Sequence, residues 1–319
     1  MGPTVRNVIL IGASGNIGLY ILKELLSHPD HLKVTVLTRA TSTATFPDGV
    51  RVVRSDYSRA SLEEAFKGQN VALSFLNYDV SVDQKLIIDA AIKAGVDRFV
   101  PSDYGVRTYH PLYNVGVATY KRQFVEYLES KQDSIGWTAI ICNPWIEYSE
   151  CLLDGLLGFD LDKQEAGIID GGESPFSGST RPYIARAVGN LLIDSAAYNH
   201  SKNQYVHLAG HTLTQNKLVS ILEQLTGKQW KKDHVKSSEL IERGHKLIAD
   251  GSPWGMAFIV RAVTCSQVDG EVVGDLRKQN PWDKRLGLRL DDLETDLRDT
   301  LDGKYPVIHM PPTIIPGKS

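Results

Sequence analysis

Val8-Ile9-Leu10-Ile11-Gly12-Ala13-Ser14-Gly15-Asn16-Ile17-Gly18 is the stretch that decides the fold. It sits inside a β-branched, apolar run from Val5 to Ile11 and is followed by the helical spacing of Ile17, Tyr20, Ile21 and Leu25. The order is therefore strand, turn, helix. A turn of this kind between a first strand and a first helix is where a dinucleotide is held. Gly12 lets the chain reverse sharply, Gly15 lets the backbone approach a pyrophosphate, and Gly18 lets the helix pack close to the strand. The helix N-terminus then favours the phosphate charge. The expected cofactor contacts are Gly12, Ser14, Gly15, Asn16, Ile17 and Gly18. The spacing differs from G-x-G-x-x-G by one residue between the first two glycines. A purely structural glycine turn is the alternative, and the flanking strand and helix argue against it.

The same alternation continues downstream. Strand-like runs fall at Leu32–Leu37, Val50–Val53, Val71–Phe75, Arg98–Pro101 and Trp137–Cys142, with helical stretches near 60–67, 82–94 and 113–131. Strands apolar on both faces and alternating with helices predict a Rossmann-type, doubly wound parallel sheet covered on both sides. Right-handed crossovers place the loops after the strands along one edge, where ligands bind. Past about residue 145 the pattern loosens into a smaller, mixed α/β region, with helices expected near Pro182–Asp194 and Gln215–Leu225. The expected division is a cofactor-binding domain over 1–145, which also takes in about 181–195, and a substrate-binding domain over 146–319.

Composition removes several classes of function. With 35 Lys+Arg against 38 Asp+Glu the net charge is −3, so there is no basic field for nucleic acid or an anionic membrane, and a small-molecule partner is expected. The start of the chain carries no signal-peptide pattern, and no stretch reaches the ~18 consecutive apolar residues of a membrane helix, which gives a cytoplasmic expectation. Cys142, Cys151 and Cys265 are too few and too scattered for a disulfide framework or a metal site.

Cofactor choice is read at the end of the second strand, where an NAD enzyme carries an Asp or Glu for the ribose 2′-hydroxyl. Here the strand ends Val36-Leu37-Thr38-Arg39, with no carboxylate between Val34 and Pro47. Arg39, followed by Thr41 and Ser42, can hold a 2′-phosphate through charge-assisted hydrogen bonds, so NADP(H) is expected. The other reading of Arg39 is a solvated strand-end cation. Asp56, after the third strand, is placed toward the adenine, and Asn77 and Tyr78, after the fourth, toward the nicotinamide; ordinary loop polarity accounts for these three equally well.

Short-chain dehydrogenases commonly use a Tyr and a Lys four residues later on one helix face. Lys121 has Val117 in the tyrosine position, and the pair is read as missing throughout the 100–130 region. Lys121 nevertheless borders an apolar stripe of Tyr113, Val117, Tyr120, Phe124 and Leu128, whereas Arg122 points to solvent. A lysine beside an apolar face and an oxidised nicotinamide has a depressed pKa and can act as general acid or base. Its alternative is a surface lysine snorkelling to water.

The strand Val8–Ile11 with Gly12–Gly18, the Arg39 strand end, Arg98-Phe99-Val100-Pro101-Ser102-Asp103-Tyr104-Gly105, and Lys121 near the start of the next helix resemble the NmrA-like and isoflavone-reductase-like group of atypical short-chain dehydrogenases. The likeness covers about residues 5–145. Beyond it, the helix near Arg181 and Leu213–Gly227 are similar to fungal members. Plant members usually carry Pro-Ser-Glu-Phe-Gly where this chain has Asp103 and Tyr104, which touches the substrate side more than the fold. The resemblance implies that Lys121 is the general acid/base while NADPH delivers hydride to an enone-like or quinone-methide carbon. It places Ser102 and Tyr104 at the edge where substrate and nicotinamide meet, with turn capping and packing as their alternative. Tyr148 and Tyr183 are candidate pocket-wall aromatics, with packing as theirs. The implied function is an NADPH-dependent reductase of a conjugated or phenolic small molecule in secondary metabolism. Two alternatives stand beside it: an NADP-binding redox sensor without turnover, and a non-redox isomerase, cyclase or lyase on the same fold.

Other signals carry less. His207 and His211 have a metal-helix spacing, but in a strand-like run broken by Gly210 and without an adjacent acid, so no metal is expected. Ser14 lacks the partners of a nucleophile, and Asp291-Asp292 onward read as a solvated helix face.

Overall fold

A computed structural model describes residues 6–76, 83–147, 157–252 and 254–304. Asn77, Tyr78, Tyr148 and Cys151 lie outside the described residues.

The first half builds one parallel sheet from β1 (Arg6–Ile11), β2 (Leu32–Arg39), β3 (Arg51–Ser55), β4 (Val71–Ser74), β5 (Arg98–Val100) and β6 (Gly136–Ile141). The helices between them are α1 (Gly18–Leu26), α2 (Arg59–Phe66), α3 (Gln84–Lys93) and α4 (Gly116–Glu129). A seventh strand, β10 (Gln204–His207), joins from the second half beside β6, so the order is β3-β2-β1-β4-β5-β6-β10 with every pair parallel. Side chains alternate across the sheet. Val8 and Leu10 enter one core with α1 and α5 (Arg181–Ile193), while Ile9 and Ile11 enter another with α2, α3 and α4. This period-2 division gives each strand two buried faces, the condition that makes a doubly wound sheet stable.

The expected apolar stripe does not run unbroken from 113. Helix α4 begins at Gly116, whose φ of +49° interrupts the helical register, and Tyr113 sits before it in a short 3₁₀ turn, Pro111–Tyr113. Its buried hydroxyl is hydrogen-bonded to Thr264 at 2.9 Å. Phe124 and Leu128 do face the core as expected, and Arg122 pairs with Glu126 on the solvent side.

The remaining elements are α6 (Ser195–His200), a three-stranded sheet of β7 (Phe159–Asp160), β8 (Glu165–Ile169) and β12 (Lys231–Val235), and the pair β9 (Phe176–Gly178) with β11 (His211–Leu213). They are covered by α7 (Gln215–Thr226), α8 (Ser237–Ala249), α9 (Gly255–Cys265) and α10 (Leu293–Leu301), around a core that includes Phe159, Ile168, Leu218 and Leu222. Among the described residues no helix is long and apolar enough to cross a membrane.

Candidate active site

The sheet order reverses between β1 and β4, and Phe75 N–H continues the ladder to Ile11 O at 2.8 Å. The turns after these two strands therefore flank one crevice, the position at which such sheets bind ligands. Gly12 has φ +80°, and a Cβ there would stand 3.2 Å from the backbone of Phe75. A Cβ at Gly18 would stand 2.7 Å from Gly12 O, so the first helix turn lies against the loop only because both positions lack side chains. Gly15 N–H closes the turn on Gly12 O at 3.0 Å. A groove of about 160 Å³ opens here, lined at one end by Gly12, Ser14 and Gly15 and at the other by Thr38, Arg39 and Ser42.

Of the expected cofactor residues, Gly12, Ser14, Gly15 and Arg39 line this groove. Asn16, Ile17 and Gly18 do not: the Ile17 side chain is buried in the core, and Gly18 serves helix packing. Arg39 is exposed at the strand end and makes no ion pair among the described residues, and Ser42 lies beside it with its N–H on Arg39 O. Asp56 is not a groove residue. Its exposed carboxylate accepts the Ser58 N–H at 2.9 Å, which holds its pKa below the ordinary value and starts α2. The adjacent Tyr57 lines the groove instead, with φ +61° turning it inward and burial raising its pKa. Phe75 and Leu76 complete the wall. The signal of these three is topological: Phe75 and Leu76 become neighbours of Gly12 only once β4 is placed beside β1, and Tyr57 reaches the groove only once β3 is placed beside β2.

Beyond Phe75 the site leads to the loop after β5. The Tyr104 ring packs on Phe75 with centroids 5.4 Å apart, and its buried hydroxyl has no partner among the described residues. Burial holds that phenol neutral, with its pKa well above 10. Ser102 is half-buried on the same loop. Lys121, near the start of α4, reaches this loop and donates from Nζ to Asp103 O at 3.2 Å. Burial lowers the pKa of its ammonium, and the negative charge of Asp103 partly offsets that. Asp103 has no exposed surface; Oδ2 accepts from Thr108 Oγ1 at 3.0 Å, and Oδ1 has no partner among the described residues. Desolvation raises its carboxyl to about 6. An unsatisfied buried acceptor costs about 1–3 kcal/mol, which is the kind of expense that functional sites carry.

The reading that no Tyr-x-x-x-Lys spacing occurs here is corrected by Tyr127, in the last turn of α4, and Lys131, just past the end of that helix. There Tyr127 Oη donates to Asp89 at 2.6 Å and Lys131 lies over the Tyr127 ring, so the pair is structural. Tyr183 is not a free pocket wall either. It is buried in the core beside α1, and its hydroxyl donates to Asp283 Oδ1 at 2.5 Å; the same carboxylate accepts the Gly210 N–H at Oδ1 and the Ala209 N–H at Oδ2. His207 is hydrogen-bonded to the Tyr109 hydroxyl at 2.9 Å, and among the described residues no cluster fits a metal ion.

The NmrA-like family profile matches residues 4–246. The oxidoreductase aprR of Aspergillus flavus is 35% identical over 269 residues, spanning 81% of this chain and 86% of that protein. The isoflavone reductase homolog IRL of Zea mays is 24% identical across 96% of this chain and 98% of its own. Among solved structures, an isoflavone reductase superposes with a TM-score of 0.73 at 18% identity, over 93% of this chain and all of that one. The leucoanthocyanidin reductase of Vitis vinifera in binary complex with NADPH gives 0.70 at 18%, over 93% and 99%. The structural matches carry the fold. The profile and the Aspergillus relative carry the kinship, and on their extent the chain belongs to the NmrA-like family.

Proposed function

We propose that the chain is an NADPH-dependent oxidoreductase that reduces a conjugated or phenolic small molecule, with Lys121 as general acid. The observation that carries this reading is the half-buried Lys121 amine, aimed by Asp103 O and set beyond Phe75 from a groove lined by the glycine turn and Arg39. The groove fits a dinucleotide: Gly12 and Gly15 present bare backbone to a pyrophosphate, and Arg39 supplies a cation without an acidic neighbour on the same strand end. Bound NADPH supplies hydride. Lys121 donates a proton to the substrate oxygen, which gains negative charge through the conjugated system as hydride adds at its far carbon. Tyr104 and Phe75 form an apolar floor that keeps water from that proton transfer. Relatives named oxidoreductases and similar folds solved with NADPH support the cofactor-dependent reduction, and a similar fold solved with NADP⁺ and pinoresinol supports the phenolic substrate class.

The test is an NADPH fluorescence titration followed by reduced-nicotinamide absorbance with a panel of enones and phenolic ethers. Substrate-dependent oxidation is expected, and Lys121→Ala should cut turnover by about 10²–10⁴ while leaving NADPH affinity nearly intact. Tight NADPH binding with no oxidation across the panel would overturn the reductase reading in favour of a sensor or a non-redox enzyme.

A further inference from the structure

We propose that Asp103 is a positioning residue for Lys121, its main-chain carbonyl aiming the amine and its buried carboxylate serving as the counter-charge to the ammonium. This rests on the reading of Lys121 as general acid.

The geometry has three parts. The Lys121 Nζ donates to Asp103 O at 3.2 Å, which fixes the direction of a side chain that would otherwise be free about four torsions. That carbonyl is itself immobilised. Asp103 N–H bonds Pro101 O at 2.8 Å, Trp145 Nε1 donates to Tyr104 O at 3.1 Å, and both Cys142 and Asn143 donate their N–H to Gly105 O. The loop is thus clamped to the end of β6, and the amine inherits its rigidity. Finally, the Asp103 side chain is fully enclosed, with Oδ2 held by Thr108 and Oδ1 left without a partner among the described residues. A loop that needed only shape would place an apolar or amide side chain there.

Among the described residues, the other ionisable group interacting with Lys121 is Cys142, just past the end of β6, whose thiol burial pushes up to about 12 and so keeps neutral. Tyr104, from the loop itself, is also neutral. Asp103 is therefore the anion that sustains the Lys121 charge against desolvation. On the Asp103 side, the groups acting with it among the described residues are Lys121, Thr108, the neutral Cys142 thiol, and Tyr109 and Tyr205, whose phenols burial raises.

The experiment follows the titration of Lys121 itself. Competitive acetylation of the intact protein over a pH series, read by peptide mass, gives the Lys121 midpoint without reference to activity. In Asp103→Asn that midpoint is expected to fall by about one pH unit, a tenfold change in the charged fraction above it. The alkaline limb of kcat/KM should move down with it while NADPH affinity stays constant, and Asp103→Glu should restore both. Thr108→Val, which only loosens Oδ2, should shift the midpoint the same way by less and serves if Asp103→Asn does not fold. An unmoved midpoint in the folded variants would overturn the proposal. Failure of the parent reading is separable: Lys121→Ala would then leave turnover unchanged, whatever the labelling shows.

Discussion

Glu147 and Arg181 face each other with no exposed surface on either side chain. One carboxylate oxygen, Oε1, accepts both the Arg181 backbone N–H at 2.7 Å and Nε at 2.9 Å, at the first turn of α5. The Thr300 hydroxyl donates to Glu147 O at 3.0 Å, and the Arg181 guanidinium lies 4.7 Å from the centre of the Tyr20 ring. The pair thus joins α1, α5 and the C-terminal helix α10. Burial still raises the Glu147 pKa despite the cation beside it. Glu147→Gln should destabilise the fold by about 3–5 kcal/mol, because it breaks a buried ion pair by removing the charge of the carboxylate that accepts both Arg181 bonds. Replacing both partners, as Glu147→Leu with Arg181→Met, should cost much less. Chemical denaturation of the three variants checks this, and equal losses in the single and double variants would contradict it.

Under the proposed function, Arg39, which lines the groove, is the residue that selects between the two nicotinamide cofactors. Removing its guanidinium takes away the charge that meets a 2′-phosphate and nothing that meets a 2′-hydroxyl. Arg39→Ala should weaken NADPH by at least tenfold, about 1.4 kcal/mol, and change NADH by little. Fluorescence titration with both cofactors decides it; parallel losses would reassign Arg39 to general electrostatics.

Two buried groups make opposite contributions to stability over the same pH range. Asp103 is raised by burial from 3.8 to about 6, so the folded state holds its proton more tightly than the unfolded chain does. That contribution is complete below the unfolded value and is lost as pH rises through about 6. His207 is lowered by burial from 6.5 to about 4; its contribution is complete above 6.5 and is lost as pH falls through about 4. Each amounts to roughly 3 kcal/mol at most, on the basis of 1.36 kcal/mol per unit. Relative to the parent, Asp103→Asn should gain stability from pH 4 to 6.5, and His207→Gln should lose it over the same interval. Urea melts at four pH values measure both differences, and flat differences would refute the assignment.

How far the sequence carries depends on whether a residue acts through local pattern or through packing across the sheet. The alternation of strands and helices, the helix starts near residues 181 and 215, and the placement of Gly12, Arg39 and Lys121 all follow from spacing, because strand period and helix period are properties of neighbouring residues. Tyr57 and Phe75 become groove walls only through the strand order, and β10 joins the sheet beside β6 although it begins at Gln204 and β6 ends at Ile141. The Tyr183 aromatic looks available in sequence and is taken by Asp283, one hundred residues away. Asp103 appears in sequence as an exchange within a family motif. Its burial, and the carbonyl it offers Lys121, depend on the clamp from β6.

Gly18 tests the glycine turn itself. A methyl at this position would stand 2.7 Å from Gly12 O and 2.9 Å from Ala13 Cα, both backbone atoms that cannot swing aside as a flexible side-chain tip would. Relief requires α1 to move away from β1. The movement opens the turn that Gly15 N–H closes on Gly12 O and loosens the packing of Ile21, Leu22 and Leu25 in the core. Gly18→Ala should therefore lower stability by about 1–3 kcal/mol, as overpacking does elsewhere, and weaken NADPH binding. Gly68→Ala is the control, since a Cβ there meets no atom within 4 Å and its φ of +72° strains only a surface turn. It should cost about 1 kcal/mol or less and leave cofactor affinity unchanged. Thermal melts with and without NADPH separate the two: a Gly18→Ala protein that melts and binds like the parent would mean that the helix does not need to lie so close for the cofactor to be held.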